Sequence, residues 1–229
     1  MQPFDFICHI EPAGIDGLIF YFSGDDSRQT NARVACCYQA LKDKNPAWLK
    51  EAIPAYDSLL VVFKVAQIDS HGVYAFLRHL PMALHEQTAI KKHKIPVWYG
   101  APQANDLALV STHTGLTEKE IITLHTSTVY RVYAVGFAPG FAYLGDSAEK
   151  LNVPRRDTPR TKVPAGAVAI ADRQSAVYPN TSPGGWHLLG MSPMKMVDTS
   201  NAVAGRLQMG DEVSFFAIDE TQYRSWHEQ

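Results

Sequence analysis

Short catalytic signatures are missing from this 229-residue sequence, and each absence closes off a class of function. There is no GxxxxGK[ST] phosphate loop, no GxGxxG dinucleotide turn and no GxSxG nucleophile elbow. The three cysteines, Cys8, Cys36 and Cys37, have no CxxC spacing, and an odd count does not suit a secreted disulfide framework. They read as small buried hydrophobes in a reducing compartment. Nine histidines are scattered, with no HExxH or paired Cys/His spacing, so no metal is expected. Neither sign of charge dominates: 21 Lys+Arg against 23 Asp+Glu give a net charge of −2, without the basic excess that nucleic acid or an anionic membrane would favour. The longest apolar run, 59–66, is interrupted by Lys64 and is too short to span a bilayer. With no basic-then-apolar leader at its start, the chain is expected to be cytoplasmic.

What is present is 46% hydrophobic residues, enough to bury substantial cores in one large or two modest domains. Residues 1–95 read as an α+β domain. Leu18, Ile19, Phe20, Tyr21 and Phe22 form a strand between glycines; Val34, Cys37, Tyr38 and Leu41 recur at helical spacing within 26–42. The sequence then predicts a short helix at 47–53 after Pro46, a strand at 58–65, a helix at 70–79 stopped by Pro81, and a lead from 88 into a strand ending near 98. This alternation suggests a small sheet with helices on one face, close to a ferredoxin-like arrangement. A hinge is expected at 95–106, where Pro96, Gly100 and Pro102 fall in a short polar stretch.

Residues 96–229 read as mainly β. Thr117 and Glu120 make a capping box, starting a helix that ends near Ser127. After it, strands are expected at 129–135, 167–171, 186–189, 194–197 and 212–217, enough for a β-barrel or a sandwich. Residues 135–193 are dense in glycine, proline and aromatics, yet they contain apolar runs such as Val168-Ala169-Ile170 that require burial. Compact β-structure with tight loops, fixed by proline and freed by glycine, fits this better than disorder. Within eight residues these loops place Arg155, Arg156, Arg160 and Lys162, interleaved with prolines. Guanidinium groups grip carboxylates and phosphates through paired hydrogen bonds, and proline limits the entropy lost on ordering. A solvated basic loop paired to Asp157 or Asp172 is the plainer alternative. Phe137, Phe141, Tyr143, Tyr178 and Trp186 flank the same glycines, either as walls of a small-ligand pocket or as a barrel core. His125 ends the capped helix and is a candidate acid–base group, or else a packed histidine.

The run GFAPGFAYLG…PRRDTPRTKVPAGAVAIA…YPNTSPGGW resembles the signature of a bacterial family. That family includes the B subunit of ATP-dependent 5-oxoprolinase, subunit 1 of allophanate-hydrolase-like proteins and the sporulation-kinase inhibitor KipI. Further matches are Gly14-Ile15-Asp16, Ile53-Pro54-Ala55-Tyr56, Ile95-Pro96-Val97 with Tyr99-Gly100, Asp106-Leu107, Leu124-His125 and Gly210-Asp211, so the likeness covers nearly the whole chain. The resemblance implies a cyclophilin-like barrel for residues 96–229. It also implies hydrolysis of a cyclic amide, 5-oxoproline, to glutamate at the expense of ATP, by a hetero-oligomer in which this chain alone is inactive. The partners so implied are the A and C subunits of the same enzyme, the latter being KipA-like or allophanate-hydrolase-subunit-2-like. A KipI-like inhibitor of a sensor histidine kinase and a carboxyltransferase-like protein related to urea carboxylase are the alternatives. The missing phosphate loop suggests that any ATP site is unorthodox or shared with a partner. At three positions the chain departs from the family pattern: Ala167 for serine, Ala176 for glycine and Met191 for arginine.

Overall fold

The computed structural model describes residues 3–82, 90–197 and 205–226, and the chain divides into two compact units, 1–89 and 90–229. In the first unit a 3-10 turn, Pro3–Asp5, leads into β1 (Ile7–Pro12), β2 (Gly17–Phe22), α1 (Ser27–Lys44), β3 (Leu49–Pro54), β4 (Ser58–Phe63) and α2 (Ser70–His79). The sheet is antiparallel throughout, in the order β1-β2-β4-β3. Alternation decides which face is covered: Leu18, Phe20 and Phe22 of β2 and Leu59, Val61 and Phe63 of β4 point into the core. Val34, Cys37 and Leu41, at helical spacing on α1, are buried as well. Asp26 caps α1 by accepting from the Gln29 N–H at 2.7 Å, and Asn45 ends it in the left-handed region at φ 38°.

Two expectations for this unit are corrected. The segment at 47–53 is not a helix: Leu49–Pro54 is an edge strand on β4, where Pro54 takes a last-strand position that an edge tolerates. The element order is ββαββα rather than the βαββαβ of a ferredoxin-like domain, because β1, unassigned from sequence, pairs directly with β2 as a hairpin.

The second unit begins six residues earlier than expected. The supposed hinge contains β5 (Lys92–Tyr99), an interior strand of the barrel, and the expected lead-in from 88 lies outside the described residues until 90. Pro96 is accommodated there although it lacks an N–H. Then come α3 (Leu107–Thr114), α4 (Glu118–Ser127), β6 (Val129–Val135), β7 (Ala142–Gly145), a 3-10 turn (Glu149–Leu151), β8 (Arg160–Val163), β9 (Ala167–Ala171), β10 (Gln174–Val177), β11 (Ser182–Gly184), β12 (His187–Met191), β13 (Glu212–Ala217) and α5 (Glu220–Arg224).

Seven strands close into a barrel, β10-β7-β6-β13-β5-β12-β9, and β8 pairs with β11 as a separate ribbon. Only the β5–β13 pair among the described barrel ladders is parallel. Ile95, Val97, Tyr130, Val132, Leu144, Val168, Val213 and Phe215 fill the interior. The capping box of α4 is present, with Thr117 and Glu120 satisfying each other's backbone N–H. No strand forms at 194–197; Val197 makes one isolated bridge to Gly205. Gly190 lets β12 approach β5, since a Cβ there would lie 2.3 Å from the Trp98 carbonyl oxygen.

Candidate functional site

The aromatic residues singled out in the sequence do assemble. Phe141, just before β7, is their centre: its ring centroid lies 5.2 Å from Phe137, 4.9 Å from Tyr143, 5.3 Å from Tyr178 and 6.1 Å from Trp186, each edge-on. Edge-to-face packing aims the positive ring edge at a negative ring face, which suits such a cluster. Phe141, Tyr178 and Trp186 are buried and Tyr143 is half-buried. Phe137 behaves differently. Its ring is 65% exposed and its backbone sits at φ 70°, a conformation costly to residues with a side chain. The turn that imposes this is closed by the Gly136 N–H on the Phe141 carbonyl and by the Phe141 N–H on the Ala138 carbonyl, each at 3.0 Å.

The four cations of 155–162 do not act as one group. Arg156 and Arg160 converge on Asp106, a carboxylate only 8% exposed: Arg160 Nη2 donates to Asp106 Oδ1 at 2.6 Å and Arg156 Nη1 reaches it at 3.5 Å. The other carboxylate oxygen accepts the Leu188 N–H at 2.7 Å, and the Asp106 N–H donates to the Leu188 carbonyl at 2.6 Å. Asp106 therefore ties the start of α3, the arginine loop and β12 together. Arg156 adds a backbone bond to Gly185 at 2.7 Å, and Arg160 Nη1 faces the Trp186 carbonyl at 3.5 Å. Arg155 lies outside this knot, 3.9 Å from exposed Asp172, and Lys162 is exposed on β8.

Arg156 and Arg160 are therefore paired with a buried acid rather than standing as unpartnered loop cations. Asp106, the centre of the network, carried no functional reading in the sequence. Only its place beside Leu107 among the matching blocks marked it, because a lone aspartate gives no local sign of which arginines it will meet.

His125 is also placed differently from its acid–base candidacy. It is fully buried, stacked on Phe215 at 4.4 Å, with Tyr99 Oη 2.6 Å from Nδ1 and Ser175 Oγ 3.0 Å from Nε2. Ser175 donates its own proton to the Ala169 carbonyl at 3.1 Å, so its oxygen accepts from Nε2–H, and Tyr99 donates to Nδ1. Both ring nitrogens are thus satisfied in the neutral form, and burial pushes the ring pKa down to about 3. Such a histidine packs in the barrel core as the neutral ring.

Ala167 and Met191, two of the positions expected to depart from the resembled pattern, face each other across β9 and β12. Both are buried, and both belong with Ala176 to the apolar cluster that packs against Phe141 and Trp186.

Among the described residues no group of three or more His, Cys, Asp or Glu is placed to hold a metal ion, and no helix is long and apolar enough to cross a membrane.

With this geometry in view, the likeness to known proteins becomes specific. A family model described as the carboxyltransferase domain, subdomains C and D, matches residues 8–205. The B subunit of 5-oxoprolinase from Bacillus subtilis strain 168 is 31% identical over 232 residues, which is 96% of this chain and 97% of that protein. Its counterpart from Escherichia coli O157:H7 is 40% identical over 169 residues, 72% of this chain and 76% of that one. The crystal structure of TTHA0988 superposes with a TM-score of 0.80 at 34% identity, covering 89% of this chain but 40% of that longer one. Residues matched from one end to the other, on a shared barrel, leave one assignment: this chain belongs to the family of the carboxyltransferase domain, subdomains C and D, and within it to the B subunits of 5-oxoprolinase.

Proposed function

We propose that this chain is the B subunit of an ATP-dependent 5-oxoprolinase and acts with the A and C subunits to open 5-oxoproline to glutamate. The observation that carries this reading is the match to the Bacillus subtilis B subunit, which takes in nearly the whole of both chains. The chemical difficulty is a stable lactam amide. Transfer of the terminal phosphoryl group of ATP to the lactam carbonyl oxygen, with release of ADP, activates the carbon. Water then adds there, the ring C–N bond breaks with nitrogen leaving as the protonated amine, and the acyl phosphate so formed is hydrolysed to the carboxylate and inorganic phosphate. Cationic and hydrogen-bonding clamps on phosphate and on the substrate carboxylate are what such a step requires.

The nucleotide's phosphates fit poorly on this chain alone. Helix N-termini are the ready-made phosphate cradles of protein backbones. Here Asp26, Asp69, Asp106 and Asp219 head four of the helices, and the Thr117–Glu120 box heads the fifth. A carboxylate already stands at every described helix start, so we assign the ATP phosphates to a site that a partner subunit completes, with Arg155 and Lys162 as this chain's contribution.

The test is reconstitution. Purified chain alone should release no glutamate from 5-oxoproline, and the mixture with the A and C subunits should release it only with ATP. Turnover by the lone chain, or none from the complete ATP-containing mixture, overturns the reading.

Phe137 is the residue we assign to partner contact, because its ring is 65% exposed although its backbone is held in a costly conformation. In the variant Phe137→Gly, relief of the left-handed strain offsets the lost contact with Phe141, each worth about 1 kcal/mol. Melting should therefore move by no more than a degree or two, about the change that 0.5 kcal/mol brings. Capture by the C subunit should weaken about tenfold or more, the usual effect of truncating a buried aromatic anchor. Wild-type affinity in this variant removes Phe137 from the interface.

A further inference from the structure

Two members of the aromatic cluster bury their rings yet keep their polar tips open to solvent. A tyrosine hydroxyl or indole N–H so placed has a packed ring behind it and no protein partner. Tyr178 is 2% exposed and Trp186 5%, yet neither Tyr178 Oη nor Trp186 Nε1 has a partner among the described residues. Neither is among the unpartnered atoms wholly sealed from solvent, as Arg156 Nε and His187 Nδ1 are. Both rings are thus held by packing while their polar tips stay available.

The backbone beside Tyr178 is built to leave that tip in place. Gly184, at the end of β11, lies so close that a Cβ on it would stand 2.3 Å from Tyr178 Oη. Any side chain there would drive the hydroxyl away. Strand ends fix the ring from the other side, with the Tyr178 N–H on the Ala167 carbonyl at 2.9 Å and its carbonyl accepting from Gly166 at 2.7 Å. Trp186 is fixed likewise, edge-on to both Phe141 and Tyr143 at 6.1 Å.

The groups that surround the hydroxyl identify what it awaits. Burial raises the Tyr178 pKa and the neighbouring Tyr143 phenol raises it further, while the charges of Arg155 and Arg160 act on it in the opposite direction. The phenol therefore remains a proton donor at neutral pH, in the field of two guanidinium groups. Tyrosine O–H, indole N–H and guanidinium N–H can all donate, and indole and guanidinium can do nothing else. The matching ligand offers acceptor oxygens.

We propose that Tyr178 Oη and Trp186 Nε1 are ligand-binding donors, holding the carboxylate or carbonyl oxygens of a small acid at the edge of the aromatic cluster. The choice of 5-oxoproline as that acid rests on the function proposed above; the assignment of the donors does not.

Tyr178→Phe removes one oxygen that no described residue uses, so the fold should be untouched. In the reconstituted complex it should keep its melting temperature and raise the KM for 5-oxoproline about tenfold to a hundredfold, the effect of losing a hydrogen bond to a charged group. Trp186→Phe should act in the same direction. A Tyr178→Phe complex whose KM and kcat stay within twofold of wild type overturns the proposal. If the wild-type complex does not open 5-oxoproline at all, the proposed function fails, and calorimetric titration of the chain itself decides the donors. The probes are 5-oxoproline, acetate and inorganic phosphate, which separate ring acid, bare carboxylate and phosphate. Saturable binding of any one that Tyr178→Phe weakens tenfold upholds the donors. No saturable binding to wild type, or equal binding to the variant, overturns them.

Discussion

Replacing Asp106 by alanine should lower the melting transition of the barrel unit by about 10 °C or more, the shift expected for a loss of about 3–5 kcal/mol from a unit of this size. The carboxylate is 8% exposed and accepts from Arg160 at 2.6 Å, with Arg156 at 3.5 Å on the same oxygen. Its removal leaves two neighbouring guanidinium groups without their counter-charge and strands the Leu188 N–H, which donates to Asp106 Oδ2 at 2.7 Å. Arg160→Ala should move melting in the same direction and exceed the roughly 0.5 kcal/mol of an ordinary surface change. Asp106→Asn should fall between wild type and Asp106→Ala, since the amide oxygen can still accept from Leu188. The effects of Asp106→Ala and Arg160→Ala should add to much less than their sum, as for residues that share one interaction. Thermal melts of the three single variants and the double variant check this. An Asp106→Ala protein that melts within about 2 °C of wild type would show that the network contributes little.

Acid should destabilise the protein through His125, with a definite sign. The folded ring's pKa is pushed down to about 3 by burial. An unfolded histidine titrates near 6.5. Between these values the unfolded chain binds the proton and the folded chain does not, so stability rises with pH across the window. The contribution is complete above about pH 6.5 and is lost as pH falls from there towards 3, with a slope approaching about 1.4 kcal/mol per pH unit. By pH 4.5 the loss amounts to about 3 kcal/mol. Among the described residues no charged group contacts the ring to compensate: Tyr99, Ser175, Phe215 and Tyr130 surround it. His125→Gln can still bond Tyr99 and Ser175 but does not titrate. Urea unfolding of both proteins between about pH 7 and 4.5 should show the variant's stability falling less steeply, by close to one proton's worth. Parallel profiles would mean that the ring accepts a proton in the folded state.

Much of the fold was legible because it depends on local periodicity. The spacing of Val34, Cys37 and Leu41 marks α1, the Thr117–Glu120 box marks the start of α4, and the β-branched run at 58–63 marks β4; all three are observed. The misread segments are those where tertiary pairing outweighed local signals. Leu49–Pro54 is a strand because β4 offers it an edge, and the hinge expected at 95–106 overlaps β5, the strand foreseen up to about residue 98, because that strand pairs within the barrel despite Pro96. The pair Met191–Ala167 is invisible as a pair in a linear chain, since the strand register alone brings the two positions together.

The sequence by itself determined the family and the cluster of aromatics around the glycine loops, because these rest on ordered blocks of residues and on composition along the chain. It could also nominate the arginines and His125, since residue type limits what a side chain can do. Which of these groups remain available to a ligand was decided only by the tertiary structure. Availability depends on the neighbours that satisfy a charge or a proton, and those neighbours come from distant segments: Asp106 reaches Arg160 across 54 positions, and Ser175 reaches His125 across 50. Folding thereby gave two of the nominated cations and the histidine partners from distant segments. The same packing left the polar tips of Tyr178 and Trp186 without partners, because no distant segment among the described residues supplies an acceptor where those rings are held.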